Sequence, residues 1–278
     1  MKDVIKSKIK KLKCYKVYVS IKYSILSDLR KKSDFLFAIG ENYKYLIGKI
    51  SFQLTRNNYE FYASLFKNLD GIDDVTIIDV GANQGWFVSI IKRFISPKMR
   101  YQIYMYEPLS SSANYLFPLV DKNCVYLQKG VGNKNEFMEI TEYENSGLSS
   151  ILEFMGGYGI DKNSNKIVNK ERIELETLDS RFNNENFSHI ILKIDIQGYE
   201  YQALQGAIGL LVSRKIKFIS IELSTVESYK DQKTAAEIIA FLSEYDFEIF
   251  NIYNTWKDDS GKLTEFDAIF RLKHEKNI

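Results

Sequence analysis

The sequence predicts an α/β fold in which a mostly parallel sheet carries helices on both faces. Short apolar runs typical of buried strands alternate with segments whose apolar residues recur at helical spacing. The first of these runs, 75–80, leads into a glycine-containing turn that opens a helix. The last two predicted strands are separated only by the turn-rich stretch 254–262, so we expect them to pair antiparallel.

The alternation starts near residue 75 and continues almost to the C-terminus. We expect seven strands, at 75–80, 102–106, 124–129, 190–195, 217–223, 247–253 and 265–272. We expect helices at 85–95, 110–119, 199–212 and 232–245. Two hairpins around a loop are expected at 131–141 and 167–177. Residues 1–70 are expected to be mainly helical, with apolar faces between Leu46 and Phe66 that suit packing on a sheet.

Composition limits the class of protein. A chain of 278 residues with 45% hydrophobic and 14% aromatic residues can build one large α/β domain with an additional segment. The two cysteines, Cys14 and Cys124, are too few and too far apart for a disulfide framework or a zinc site. No apolar run reaches the roughly 18 residues of a membrane span, and lysines interrupt any signal-peptide core. We therefore expect a cytoplasmic protein.

The net charge of +2 is unevenly distributed. Residues 1–32 contain eleven Lys or Arg and two Asp, a local charge of +9, so the rest of the chain carries −7. One interpretation is a solvated helix whose lysines keep it soluble; the other is peripheral contact with an anionic membrane face or an acidic substrate. Nucleic-acid binding is disfavoured because the body of the protein is acidic.

The segment Ile78 to Trp86, with the sequence IDVGANQGW, joins the first strand to its helix. Asp79 ends the strand as a fixed acceptor, and a side chain at Gly81 or Gly85 would hold the backbone away from a ligand. The Asp-x-Gly-x-x-x-Gly spacing differs from the Gly-x-Gly-x-x-Gly of dinucleotide binders. It favours a nucleoside ligand without a pyrophosphate, which is S-adenosylmethionine.

Glu107 follows the second strand, 22 residues beyond Gly85. In a βαβ unit this position delivers an acid to a ribose diol, and a carboxylate there would repel the 2′-phosphate of NADP. The simpler interpretation is that the turn and the acid mark only a doubly wound α/β domain.

Five motifs together resemble the FkbM-type methyltransferase family. They lie, in the family's order, at 79–87, 106–108, 130–133, 146–150 and 192–200. The resemblance covers about 70–272 and implies a Rossmann-like class I methyltransferase fold, with a seven-stranded, mostly parallel sheet ending in an antiparallel hairpin. It also implies that Asn83 and Gly130 bind S-adenosylmethionine together with Asp79, Gly81, Gly85 and Glu107. Gln197 stands where the family usually has Glu, so no acid–base role is assigned to it.

The resemblance and the charge pattern divide the chain into two parts. Residues 1–70 are predicted to form a basic helical N-terminal extension, and residues 71–278 the methyltransferase domain. The resemblance does not extend to residues 1–32.

Acids at strand ends are the candidates for catalysis, because the carboxyl ends of parallel strands meet at the ligand-binding edge of the sheet. Asp195 is predicted to be the general base, or else to hold backbone amides or the methionine end of the cofactor. Glu222 and Lys193 are the other two catalytic candidates. A structural role is favoured for Glu222, and Lys193 points to the same strand face as Asp195. Glu200 is expected to face the cleft or to cap its helix.

No metal site is predicted. Asp195 and Glu222 would offer Mg²⁺ two oxygen ligands, but no third ligand is identifiable. His189 begins its strand at the end opposite the cleft and His274 lies in the tail, so no Ser/His/Asp or Cys/His system can be built.

Two segments are candidates for the acceptor pocket. One is the loop from Ser146 to Tyr158, which contains Phe154; the other comprises Tyr253, Trp256 and Lys257 in the turn after the sixth strand. The alternative is that both are ordinary loops with one anchoring aromatic side chain.

The sequence favours an O-methyltransferase that acts on a hydroxyl of a glycan, a nucleotide-sugar or a secondary metabolite. Two other functions stay open at this point: a nicotinamide-dependent oxidoreductase on a similar sheet, and a non-catalytic module that binds a partner through residues 1–32. The expected acceptor is a small molecule or glycan and not a nucleic acid. A peripheral contact with the inner membrane face is the remaining expectation for residues 1–32.

Overall fold

The structure is a computed structural model that describes residues 72, 74–96, 98–157, 165–185, 187 and 189–273. The predicted N-terminal extension, with its basic segment 1–32 and the apolar faces between Leu46 and Phe66, lies outside the described residues. Tyr158 and His274 lie outside them as well. The described residues all belong to one compact unit, Asn57–Ile278.

The described part of the chain contains ten strands. They are β1 (Asp74–Val80), β2 (Arg100–Tyr106), β3 (Cys124–Leu127), β4 (Gly130–Val131), β5 (Glu136–Tyr143), β6 (Ile167–Glu176), β7 (Ile190–Ile194), β8 (Ile216–Ser224), β9 (Phe247–Lys257) and β10 (Leu263–Leu272). Seven of them form the main sheet in the order β3-β2-β1-β7-β8-β10-β9. β10 runs antiparallel to both β8 and β9, and the other pairs are parallel. The predicted seven-stranded, mostly parallel sheet with an antiparallel C-terminal hairpin is confirmed.

A second sheet has the order β4-β6-β5. β5 and β6 pair antiparallel with each other, from Glu136 opposite Leu175 to Tyr143 opposite Ile167. The prediction of two separate hairpins in this region was therefore wrong. Each segment has only one apolar face, and pairing β5 with β6 buries Ile140 and Ile173 together in one small core.

Six α-helices lie in the described residues. They are α1 (Trp86–Ile91), α2 (Ala113–Leu116), α3 (Leu178–Phe182), α4 (Glu200–Gln205), α5 (Ile208–Val212) and α6 (Ala235–Glu244). The predicted helix 110–119 is α2 flanked by two 3₁₀ turns, 110–112 and 117–119. No helix in this part of the chain is long and apolar enough to cross a membrane.

The predicted helix 199–212 is divided into α4 and α5 at Gly206. The Gly206 carbonyl accepts a hydrogen bond from the Asp179 backbone N–H, outside the helix. The Asp179 carboxylate in turn accepts from the N–H groups of Gly209 and Leu210 at the start of α5. A contact with α3 thus ends one helix and caps the next.

Apolar side chains cover both faces of the main sheet. On β1, Ile77 packs into the core layer that contains α1 and α2, whereas its neighbour Ile78 packs into the layer that contains α3 to α6. Both side chains are fully buried, as expected for a central strand of a parallel sheet. The strand order reverses between β1 and β7, so a crevice opens at the carboxyl ends of these two strands.

Candidate functional site

A cleft of about 290 Å³, partly open to solvent, lies at the carboxyl ends of β1, β2 and β7. Its size is close to the lower end of the range for small-ligand sites, which runs from about 300 to 1,000 Å³. Six of the predicted site residues line it: Gly81, Asn83, Glu107, Gly130, Asp195 and Glu222. Three others, Asp79, Gly85 and Lys193, are not in its lining. The structure thus brings most of the predicted site together at one crevice.

The glycine turn after β1 is packed tightly against the protein itself. Gly81 has a left-handed backbone (φ +81°), and a Cβ there would lie 1.9 Å from the Asp195 carbonyl oxygen. A Cβ on Gly85 (φ +74°) would lie 2.3 Å from a Leu119 methyl carbon. Packing of the turn is thus a second reason for glycine at both positions, beside the predicted approach of a ligand, and Gly81 also lines the cleft.

Glu107 is 6% exposed and directly follows the carboxyl end of β2. Its two oxygens accept hydrogen bonds from the backbone N–H groups of Asn83 (2.8 Å) and Leu109 (3.0 Å). Burial raises the pKa of Glu107 to about 7, and the two backbone hydrogen bonds oppose the rise. Each carboxylate oxygen keeps a further lone pair, so Glu107 can still accept from the two hydroxyls of a ribose.

Asn83 presents a second acceptor to the cleft. Its backbone is left-handed (φ 45°), and within the described residues its buried Oδ1 atom has no hydrogen-bond partner. A buried polar atom without a partner is costly unless a ligand or water satisfies it. Asn83 and Glu107 together fit the polar edge of a nucleoside.

Asp79 and Lys193 form a buried ion pair behind the cleft. Lys193 Nζ lies 3.1 Å from Asp79 Oδ1 and 3.6 Å from Asp195 Oδ2, and it donates to the Gly81 carbonyl oxygen at 2.6 Å. Burial raises the pKa of the fully buried Asp79, and the Lys193 ammonium acts in the opposite direction. Lys193, predicted among the catalytic residues, thus ties the turn to Asp195 from behind and does not line the cleft.

Asp195 and Glu222 are linked by an amide. Gln197 Nε2 donates to Asp195 Oδ1 at 3.0 Å and to Glu222 Oε2 at 2.9 Å. The Asp195 side chain is 42% exposed. Burial, and then the charge of Asp195, raise the pKa of Glu222 well above its ordinary value. The described residues hold no group of three or more His, Cys, Asp or Glu side chains arranged for a metal ion.

Glu200 stabilises the loop that carries Asp195. It is buried, and its Oε1 atom accepts from the N–H groups of Ile196 (3.0 Å) and Gly198 (3.1 Å). Burial raises its pKa to about 7, against the effect of these backbone hydrogen bonds. Of the two expected roles, facing the cleft or capping the helix, the second fits, because the carboxylate also accepts from the Glu200 backbone N–H at the start of α4. Glu200 satisfies the loop before α4 in addition.

Of the two predicted acceptor segments, one contributes to the cleft. Residues 146, 147 and 149–151 line it, but Phe154 is buried in a separate cluster against Tyr229. Tyr253, Trp256 and Lys257 do not line it. They lie within β9, which continues to Lys257 and forms the far edge of the main sheet, so the expected turn after residue 253 was wrong.

Three residues beside the Asp195 and Glu222 carboxyl groups make hydrogen bonds that the sequence does not predict. Gln197 joins the two carboxyl groups, Ser150 Oγ donates to the Gln197 carbonyl oxygen at 2.7 Å, and the Tyr229 hydroxyl lies 3.0 Å from Gln197 Oε1. Gln197 and Ser150 stand inside motifs that the sequence singles out. Tyr229 lies in none of these motifs, and only the fold brings it to the loop that carries Gln197.

Comparison with known proteins agrees with this geometry. The family model described as the Methyltransferase FkbM domain matches residues 79–249. No curated protein matches the sequence.

Three similar solved structures are methyltransferases. The methyltransferase FkbM from Methylobacillus flagellatus KT is 15% identical, with a TM-score of 0.42, 74% of this chain covered and 47% of that one. This chain thus spans about half the length of that protein. A SAM dependent methyltransferase from Aquifex aeolicus is 12% identical (TM-score 0.37; 76% and 89% covered). The 1,6-didemethyltoxoflavin-N1-methyltransferase from Burkholderia thailandensis, solved with 1,6-didemethyltoxoflavin and S-adenosylhomocysteine, is 8% identical (TM-score 0.39; 91% and 90% covered).

Proposed function

The chain belongs to the FkbM methyltransferase family, whose cofactor is S-adenosylmethionine, and on this premise we propose that it is an O-methyltransferase. The proposed acceptor is a hydroxyl of a glycan, a nucleotide-sugar or a secondary metabolite. The observation that carries the proposal is the half-exposed Asp195 carboxylate on the acceptor side of the cleft, between Lys193 and Gln197. The family match favours methyl transfer over the oxidoreductase and over the non-catalytic module.

The residues of the cleft suit the two halves of such a reaction. Bound S-adenosylmethionine supplies a methyl group already activated by its sulfonium. Glu107 and Asn83 would hold the nucleoside half through carboxylate and amide acceptors. With the methyl donor activated, the protein has two tasks, to align the acceptor oxygen and to remove its proton.

Asp195 is the residue proposed to remove that proton. Its carboxylate lies at the carboxyl end of β7 and is open to solvent, so it can accept a proton from the acceptor and release it to water. The Lys193 ammonium lies 3.6 Å from Asp195 Oδ2. Ser149 also lines the cleft, where polar groups orient a hydroxylated acceptor.

The test is transfer of a labelled methyl group from S-adenosylmethionine to a panel of hydroxylated glycans, nucleotide-sugars and small metabolites. We expect a methyl ether in the product, identified by mass spectrometry. Asp195→Asn should lower the transfer rate about 100-fold or more, because general base catalysis contributes at least that factor. Asp246→Asn is the matched control, since Asp246 pairs with Arg214 on the surface. Methylation of nitrogen, or unchanged transfer in Asp195→Asn, would contradict the proposal.

A further inference from the structure

Gln197 is held rigidly in a backbone conformation that is unusual for its residue type. Its φ is +54°, in the left-handed region that side chains other than glycine rarely adopt. Ser150 Oγ donates to its carbonyl oxygen at 2.7 Å, and Glu200 accepts from the N–H groups on either side of it, Ile196 and Gly198. The loop therefore presents this one side chain to the cleft in a defined direction.

Every polar atom of the Gln197 side chain is used. The two hydrogens on Nε2 go to Asp195 Oδ1 at 3.0 Å and to Glu222 Oε2 at 2.9 Å. Oε1 lies 3.0 Å from the hydroxyl of the fully buried Tyr229, whose single hydrogen it shares with the Leu148 carbonyl oxygen at 3.1 Å. The orientation of the amide follows from charge, because the reversed amide would aim its oxygen at two carboxyl groups.

The arrangement distinguishes the two oxygens of Asp195. Oδ1 is occupied by the Gln197 amide, whereas Oδ2 lies on the side of Lys193 Nζ, 3.6 Å away. Without the amide, Asp195 and Glu222 would meet as two carboxyl groups on neighbouring strand ends. The amide provides one donor to each and so allows the two groups to remain close.

The charged groups around the pair explain how its charge is distributed. Glu222 is faced by Asp195 after β7, by Glu265 and Asp267 on β10, and by Glu200 on α4. Lys193 is the cation beside Asp195, with Asp79 of β1 on its other side. Burial and this acidic surrounding raise the pKa of Glu222, and burial raises that of Asp267 to about 7. The acidic surroundings therefore favour the protonated form of Glu222, and the cation of the site, Lys193, lies on the side of Asp195.

We infer that Gln197 is a positioning residue, which holds Asp195 and Glu222 as one unit sharing a single negative charge and leaves Asp195 Oδ2 to accept the proton of the acceptor. In this step the acceptor oxygen bonds to the methyl carbon as the bond from sulfur to that carbon breaks. The hydroxyl proton passes to Oδ2, the sulfur becomes a neutral thioether, and Asp195 later releases the proton to water. The proton step rests on the proposed function, whereas the shared-charge unit does not.

The unit can be tested without an acceptor. In a ¹⁵N-labelled full chain, the Gln197 side-chain amide is assigned by its loss in Gln197→Met, which keeps the length of the side chain and removes its donors. We expect its resonances to shift with pH as the two carboxyl groups titrate, and the midpoint to move in Asp195→Asn and in Glu222→Gln. The amide of Gln205, whose Oε1 accepts from Asn133, is the control that should not follow this titration. A Gln197 amide that does not respond to pH would overturn the inference. So would a titration midpoint that is the same in wild type and in both carboxyl variants.

The catalytic consequence is tested by Gln197→Glu, which replaces the shared donor by a third carboxylate. Like charges at this distance raise a carboxyl pKa, so we expect the acidic limb of the pH–rate profile to shift to higher pH by about one unit or more. Gln205→Glu adds the same charge on the surface and should leave the profile unchanged. A merely structural role would lower the melting temperature of Gln197→Glu without moving the limb, and that result would contradict a positioning role. If wild type transfers no methyl group to any hydroxyl, the proposed function fails, while the amide titration still decides the status of the unit.

Discussion

Glu107 shows how one side chain can be both buried and available to a ligand. Its oxygens accept from two backbone N–H groups, which keep it oriented toward the cleft, yet burial brings its pKa to about 7. A carboxylate binds ribose hydroxyls more strongly than a neutral carboxylic acid, because charged acceptors make stronger hydrogen bonds. Cofactor affinity should therefore follow the ionisation of this residue.

We predict that affinity for S-adenosylhomocysteine rises between about pH 6 and pH 8, as Glu107 ionises near its pKa of about 7. Glu107→Gln should flatten this dependence, since the amide keeps an acceptor and cannot titrate. Glu107→Ala should weaken binding about 10- to 100-fold, the equivalent of a charge-assisted hydrogen bond. Isothermal titration at several pH values measures both effects. Equal pH dependence in wild type and Glu107→Gln would exclude Glu107 as the titrating group.

At the scale of elements, the turn after β1 is where β1, β2 and β7 are joined. The N–H groups of Gly81 and Ala82 both donate to the Tyr106 carbonyl oxygen, and the Asp195 N–H donates to the Val80 carbonyl oxygen. A side chain at Gly81 would push into the Asp195 backbone, which cannot move without displacing the acceptor side of the cleft.

We predict that Gly81→Ala destabilises the fold by about 1–3 kcal/mol more than Gly261→Ala. Both glycines have positive φ angles, +81° and +86°, so both substitutions introduce a similar backbone strain. A Cβ at Gly261 would meet no atom of the described chain within 4 Å, so the difference between the two variants isolates the steric contact. Denaturant unfolding measures it, and equal losses would show that the contact relaxes at no cost.

The loop between β7 and α4 depends on a buried acid. Glu200 has a pKa of about 7 in the folded protein against 4.5 for an unperturbed glutamate. Between these values the folded state binds more protons than the unfolded state, so this group makes the free energy of unfolding fall as pH rises from about 4.5 to 7.

We predict that Glu200→Gln reduces this fall, because Gln keeps the acceptor oxygen for Ile196 and Gly198 and carries no charge. Urea unfolding at pH 5.5 and pH 8 measures the change for wild type and variant. Glu244→Gln, which alters an exposed acid at the end of α6, is the control expected to match wild type. An identical slope for wild type and Glu200→Gln would show that Glu200 does not ionise in this range.

At the scale of the whole molecule, the basic residues 1–32 contrast with a body that carries −7. The cofactor-side residues all lie between 79 and 130, far along the chain from the lysines. A role of this segment in membrane contact is therefore tested apart from cofactor binding.

We predict that replacing Lys8, Lys10 and Lys11 by Gln leaves cofactor affinity unchanged and lowers binding to phosphatidylserine vesicles. Each basic residue contributes about 1 kcal/mol at an anionic surface, so the loss should approach 100-fold at low salt. Co-sedimentation with vesicles measures it, and the matching Lys→Arg variant is the control. Vesicle binding that does not change would leave the lysines with a solubilising role only.

The places of the seven main-sheet strands along the chain, and the acids at their ends, could be predicted from the sequence. Hydrophobic periodicity is local, and parallel strands of one sheet end at the same edge. Asp195, Glu107 and Glu222 therefore follow from their places at strand ends, and the structure brings all three to the cleft. The motif containing Gly81 was also recognisable, whereas its contact with the Asp195 backbone was not.

Tertiary structure alone decided the features that depend on residues distant in the chain. The pairing of β5 with β6, the break at Gly206 and the meeting of Gln197 with Tyr229 each join segments that no local pattern relates. The function of Gln197 illustrates the difference, because its type and position were visible in the sequence but its partners were not. Periodicity encodes which face of an element is buried, whereas a hydrogen bond between elements exists only once their packing has set the distance between donor and acceptor.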